Sequence, residues 1–179
     1  MINTEILMQK AIAFHGHRCS GLAIGVLVSK YILEQGNDFS IDEELVTIVE
    51  TNSCGVDAIQ ALLGTTFGKG NLIHLDYGKN NYTIYNRESK KAVNIRLKRS
   101  NNQQDILSRK ERIEYLINSD PKDIFRIKEI DFNPPNKAQI FDRITCEKCQ
   151  DPTMSTRIKK YKDKNLCIPC HQELLKENK

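Results

Sequence analysis

Two C-x-x-C pairs, Cys146/Cys149 and Cys167/Cys170, constrain the fold of this chain more than any other feature. Each pair lets two sulfurs reach one ion from a tight turn, and together they supply the four thiolates of a tetrahedral zinc site. A tail this short cannot bury enough apolar surface to hold itself together, so the metal must supply much of its stability. Between the pairs, "STRIKKYKDKNL" reads as a hairpin, and "IPCHQELLKEN" reads as a helix. Knuckle, hairpin and knuckle at a helix start resemble a treble-clef zinc finger. All four positions are filled by protein, so the ion is read as structural and not catalytic. His171, beside Cys170, is a spare donor that four thiolates make unnecessary.

Cysteines used as ligands suit a reducing compartment. The opening "MINTEILMQK" lacks the basic start and apolar block of a signal peptide, and no apolar run approaches the length of a membrane span. A cytoplasmic protein without membrane partners is therefore expected. The 179 residues allow one ordinary domain plus a small appendage. "FNPPNKA" resists helix and sheet and marks the boundary, giving a core of residues 1–132 and a finger of residues 133–179. The net charge of +4 suits a small anionic ligand without requiring nucleic acid. The basic finger residues Arg157, Lys159, Lys160, Lys162 and Lys164 fit a solvated face better than a nucleic-acid surface. The chain has no tryptophan and 7% aromatic residues, with no clear stacking platform.

Within the core, "NTEILMQKAIAF" has helical spacing with Thr4 as a cap. "GLAIGVLVSKYILEQG" is apolar nearly all round, so it should be a buried central helix ending at Gly36. "LVTIVE" is a short β-branched strand, and "TNSCGVDAIQALLG" turns through Cys54 into a helix stopped by Gly64. Strands follow at residues 72–77, 82–86 and 92–97, with "GKNN" and "RESKK" as hairpin connections. A polar helix is expected over residues 104–117. Asp120 and Pro121 announce another in "SDPKDIFRIKEI".

"FHGHRCSGLAIG" carries the second candidate site. His15 and His17, two apart, can converge from a loop but not from one helix face, and Gly16 permits the turn. Cys19 stands at the start of the central helix, where free N–H groups and the dipole favour a thiolate. Cys54 is placed in the same way at its own helix start. If the two helix starts face each other, imidazoles and thiols meet in one pocket, either as a metal site or as a dithiol. Asp57 and Gln60, one turn apart, either point into that pocket or pack and cap. The glycine-rich "GTTFGKGN" presents Thr66, Gly68, Lys69 and Gly70 for an anion, though without the spacing of a Walker loop.

Taken together, "FHGHRCSGLAIG", "ETNSCGVDAIQALLGTTFGKGNL" and the paired C-x-x-C tail resemble the FmdE family, named for association with formylmethanofuran dehydrogenase. The resemblance implies an α+β fold: a thioredoxin-like core with a mixed, five-stranded sheet flanked by helices, then a treble-clef finger. It implies a core metal site on His17, Cys19 and Cys54 with His15 beside them, holding zinc or another divalent transition metal. His15 and Asp57 become candidates for catalytic roles at that site. Ser20 replaces a proline common in the family, and could cap the helix instead. Thr65 replaces a common cysteine, which weakens a dithiol mechanism more than a His/Cys metal site.

The resulting functional expectation is an accessory protein of formylmethanofuran dehydrogenase-type one-carbon metabolism, as in methanogenesis, with that enzyme or another metalloenzyme as partner. A homodimer is expected from size and family. Whether the core site is catalytic stays open. The competing readings are a metal-delivery or interaction module without activity and, ranked last, a nucleic-acid-binding finger.

Overall fold

Nine of the fifteen residues of helix α2, Ser20–Glu34, are buried in the computed structural model, which describes residues 2–99 and 107–177. The near-continuous apolar sequence requires this, because each fully buried Leu, Ile or Val contributes about 1.5–3 kcal/mol that solvent exposure would forfeit. Helix α1, Thr4–His15, packs beside it, and its cap is Asn3 rather than Thr4. Asn3 Oδ1 accepts the amides of Glu5 at 2.9 Å and Ile6 at 3.2 Å, so Thr4 becomes the first helical residue. The contacts divide the chain into two units, Met1–Ala138 and Gln139–Lys179.

The first unit is mixed α+β. Its sheet has the order β2-β1-β3-β4-β5, built from β1 (Leu45–Val49), β2 (Leu72–His74), β3 (Asn81–Asn86), β4 (Lys91–Leu97) and β5 (Phe125–Ile130). Strand β2 runs parallel to β1, and every other neighbouring pair is antiparallel. "GKNN" is therefore not a hairpin: β2 and β3 lie on opposite sides of β1. The loop between them is tied across the end of β1, with Leu75 N donating to Val49 O at 2.9 Å and Lys79 N to Glu50 O at 2.8 Å. "RESKK" does close a hairpin, helped by Asn86 Oδ1 accepting the amides of Glu88 and Ser89.

Helix α3, Gly55–Leu63, stops at Gly64 in the left-handed region. Helix α4, Arg109–Asn118, starts with a Ser108/Glu111 capping box, and residues 104–106 of the expected helix lie outside the described residues. The helix announced by Asp120 and Pro121 is a single turn, α5 (Pro121–Ile124). Its continuation is strand β5, because "FRIKEI" alternates in period two and its backbone completes the ladder on the free edge of β4.

The main core lies between the helices and one sheet face, and includes Leu22, Leu27, Ile59, Tyr82 and Ile95. A smaller cluster of Val46, Tyr85 and Ala92 on the other face is covered by Ile73 and Phe132. The proline segment stays with this unit: Arg87 Nη2 donates to Pro135 O at 2.9 Å, and Ala138 N donates to the Glu43 carboxylate at 3.1 Å. The division consequently falls after Ala138 rather than after residue 132.

The second unit consists of the hairpins β6/β7 (Arg143–Thr145, Pro152–Met154) and β8/β9 (Ile158–Tyr161, Lys164–Cys167), then helix α6 (Ile168–Glu177). Leu166 and Cys146 are fully buried at its centre. No helix among the described residues is long and apolar enough to cross a membrane.

Candidate metal centres

Cysteine placement in the second unit follows from its two hairpins. Cys146 leaves β6 into a turn closed by Gln150 N on Cys146 O at 2.8 Å, which brings Cys149 back beside it. Cys167 ends β9 and Cys170 lies in the first turn of α6. The four sulfurs lie within 4.8 Å of one another, with Cys149 and Cys167 at 3.8 Å. Four thiolates around one zinc at about 2.3 Å require sulfurs about 3.8 Å apart, so the donor set fits the ion. The amides of Cys149 and Cys167 hold the Cys146 thiol down to about 6, while the neighbouring Cys167 thiol pushes Cys170 up to about 12. One sulfur is thus ready to ionise first. His171 is outside this group and meets the Tyr161 ring edge-on at 6.0 Å.

The core cluster arises where two helices meet. Helix α1 ends at His15, and Gly16, at φ +94°, turns the chain with its amide on Ile12 O at 2.7 Å. A side chain would be strained there. His17 follows, its ring 4.5 Å from that of His15. Cys19 itself caps α2: its sulfur accepts the Leu22 amide at 3.3 Å, which leaves Ser20 as the first helical residue and not the cap. The ligand atoms of His15, His17 and Cys19 come within 4.8 Å of one another.

Behind His15, Asp57 Oδ2 lies 2.7 Å from Nδ1. That contact fixes the ring so that Nε2, 3.9 Å from the Cys19 sulfur, faces the cluster. A carboxylate behind a histidine is the usual support of a metal-ligating imidazole. Gln60 extends the support, donating to Asp57 Oδ1 at 3.4 Å and accepting the Phe67 amide at 3.3 Å. If the core holds a metal, Asp57→Asn is expected to weaken it roughly 10- to 100-fold, read by chelator competition. An unchanged affinity would detach Asp57 from the site.

Cys54 is not one of the three mutually close donors. It sits beside Cys19 at the start of α3, and burial first, then that neighbouring thiol, push its pKa up. What brings it there is a pair of glycines that sequence reasoning missed. A Cβ on Gly21 would lie 3.3 Å from Cys54 Cβ, and one on Gly25 would lie 2.0 Å from Gly55 O. The two glycines, four apart on one face of α2, let α3 approach at backbone distance. The small-x-x-x-small spacing is the signal that could have shown it.

The glycine-rich loop is organised differently from the anion cradle expected of it. Lys69 Nζ donates to Ser40 O at 2.7 Å and Ile41 O at 3.1 Å. The Lys69 amide donates to Thr66 Oγ1, the Thr66 amide to buried Asn71, and the Gly70 amide to Phe67 O. These donors hold the loop together, and nothing lies within 4 Å of a Cβ at Gly68. Thr65 is fully buried and donates to Thr47 Oγ1 at 3.0 Å, on the sheet and apart from the three-donor group.

Comparison with known families places the chain. Residues 14–129, spanning both motifs of the first unit, match the family described as FmdE, molybdenum formylmethanofuran dehydrogenase operon. The chain belongs to the FmdE family. A curated relative from Archaeoglobus fulgidus, described as a probable S-adenosyl-L-methionine-binding protein, is 30% identical over 92% of this chain. This FmdE-family chain spans about half of that relative, 52% of its length. Among solved structures, an FmdE-like protein of the tungsten formylmethanofuran dehydrogenase type, from Syntrophus aciditrophicus, superposes with a TM-score of 0.71. The match covers 95% of this chain and 92% of that one at 24% identity, and so shows a shared fold.

Proposed function

We propose that this FmdE-family chain carries two metal ions with different duties: a structural zinc on Cys146, Cys149, Cys167 and Cys170, and a functional divalent transition metal, zinc first, in the core. His15, His17 and Cys19 hold the core ion, Asp57 orients His15, and Cys54 stands beside Cys19 as a further thiol. The convergence of three donors within 4.8 Å, with a carboxylate behind one of them, carries this reading. Three protein donors are the complement of a zinc site that keeps a position for substrate, where the metal polarises a carbonyl or activates water.

On this reading the protein serves formylmethanofuran dehydrogenase-type one-carbon metabolism as an accessory component in the cytoplasm, as a homodimer. Family membership supports the link to formylmethanofuran dehydrogenase-type metabolism. S-adenosylmethionine binding stays with the Archaeoglobus relative, of which half lies beyond the match.

Elemental analysis of the purified chain tests the core site. The wild type is expected to carry about two metal ions, and a His17→Ala/Cys19→Ala double variant about one, on the ligand count above. A double variant that keeps both would sink the core assignment. Transfer of the core ion to an apo metalloenzyme, with no turnover of any small molecule, would favour metal delivery over catalysis.

A further inference from the structure

The end of α2 remote from Cys19 opens onto a hollow of about 260 Å³. At 1.5 Å per residue it lies about 20 Å from the core cluster. Its position follows from strand register. Ile84 pairs with Val93, Val93 with Glu129, and Asn86 with Lys91, so all five side chains share the face that α2 covers. Over the body of the helix that face is apolar. Past Glu34 the helix has ended while the sheet continues, and the face turns polar at Asn86, Lys91 and Glu129 around a floor of Ile84 and Val93. Tyr31, in the last turn of α2, forms the opposite wall.

Asn86 is taken up by the fold, donating to Asn37 Oδ1 at 2.8 Å, but three other polar groups in this hollow are not. Among the described residues, the Tyr31 hydroxyl, the Lys91 ammonium and the Glu129 carboxylate have no hydrogen-bond or ion-pair partner. Burial first, and the charge of Glu129 second, raise the Tyr31 pKa and keep its hydroxyl protonated. The carboxy-terminal end of α2 carries no basic residue in its last turn, and its carbonyls are already taken up, Ile32 O by Asn37 Nδ2 at 3.0 Å and Leu33 O by the Gly36 amide at 3.1 Å. Glu129 and the Tyr31 oxygen favour a cation. Lys91 favours an anion.

From this arrangement we infer that the hollow binds a small zwitterion of the α-amino-acid type, its ammonium toward Glu129 and Tyr31 and its carboxylate toward Lys91. Ile84 and Val93 then receive a short apolar side chain. A hollow of this size sits below the usual range of drug-sized pockets, about 300–1,000 Å³, and suits a molecule of a few heavy atoms. The site is independent of the core metal.

NMR titration of the full chain tests the inference with L-methionine, with 3-methylthiopropylamine (ammonium only) and with 4-methylthiobutanoate (carboxylate only). L-methionine is expected to shift the amides around Tyr31, Asn86, Lys91 and Glu129 and to bind more tightly than either single-charge analogue. Glu129→Gln and Lys91→Met, both at exposed positions, should each weaken it about tenfold, the loss expected for a charged hydrogen-bonded pair. His17→Ala should leave it unchanged. No shift with L-methionine, shifts confined to residues 15–19, or equal binding by wild type and both variants would overturn the inference.

Discussion

A Gly25→Ala variant is expected to lose about 3 kcal/mol or more of folding stability, at the upper end of what overpacking a core usually costs. The added Cβ would stand 2.0 Å from Gly55 O and 2.7 Å from Gly55 C and Cα. All three are backbone atoms at the start of α3, so no side-chain rotation relieves the clash, and the two helices must move apart. In a first unit of this size the loss corresponds to a fall of roughly 10 °C in its melting temperature. Because the same approach sets Cys54 beside Cys19, the variant should also perturb the core thiols. Thermal unfolding by circular dichroism reads the stability, and Gly68→Ala, with open space around its Cβ, is the control expected to melt with the wild type. A Gly25→Ala protein that melts alongside that control would mean the helices do not cross at this distance.

Metal removal should have the second large effect, and a local one. Cys146→Ser takes away a fully buried sulfur that accepts the Cys167 amide at 3.3 Å and belongs to the four-sulfur cluster. The buried centre of this unit beyond the cysteines is essentially Leu166, flanked by Tyr161 and Leu174. Such a centre cannot replace the roughly 10–16 kcal/mol that a structural zinc contributes to a small metal-folded module. The variant is expected to lose one metal ion per chain and to become protease-sensitive between residues 139 and 177. The melting transition of the first unit should stay in place. A variant that keeps its protease resistance without the ion would show that the unit folds on its own apolar contacts.

The parts legible in sequence were those fixed by local chemistry. The two C-x-x-C pairs announced their cluster because each pair is closed by a tight turn of its own. The apolar run from Leu22 announced a buried helix, and Gly64 its αL stop. Less legible were features decided by what a segment meets. "FRIKEI" follows the helix-start signals Asp120 and Pro121, yet the helix lasts a single turn and "FRIKEI" becomes a strand because the edge of β4 is there to receive it. "GKNN" carries hairpin composition, yet it spans the end of β1 because β2 has paired in parallel with that strand. Lys69 reads as an anion-binding cation, and in the fold its ammonium meets the carbonyls of Ser40 and Ile41 from a distant loop.

Which residue types are available as donors was written in the chain itself: two histidines and a cysteine around Gly16, a second cysteine at Cys54, and four thiols in the tail. How the core set is arranged was left to tertiary packing. It brought His15 into the cluster through Asp57, 42 positions away, and left Cys54 beside Cys19 and outside the three-donor group. Local spacing can place donors on a turn or a helix start, and no further. The distance between two helix starts depends on how closely their backbones pack, and here that rests on Gly21, Gly25 and Gly55 having no side chains.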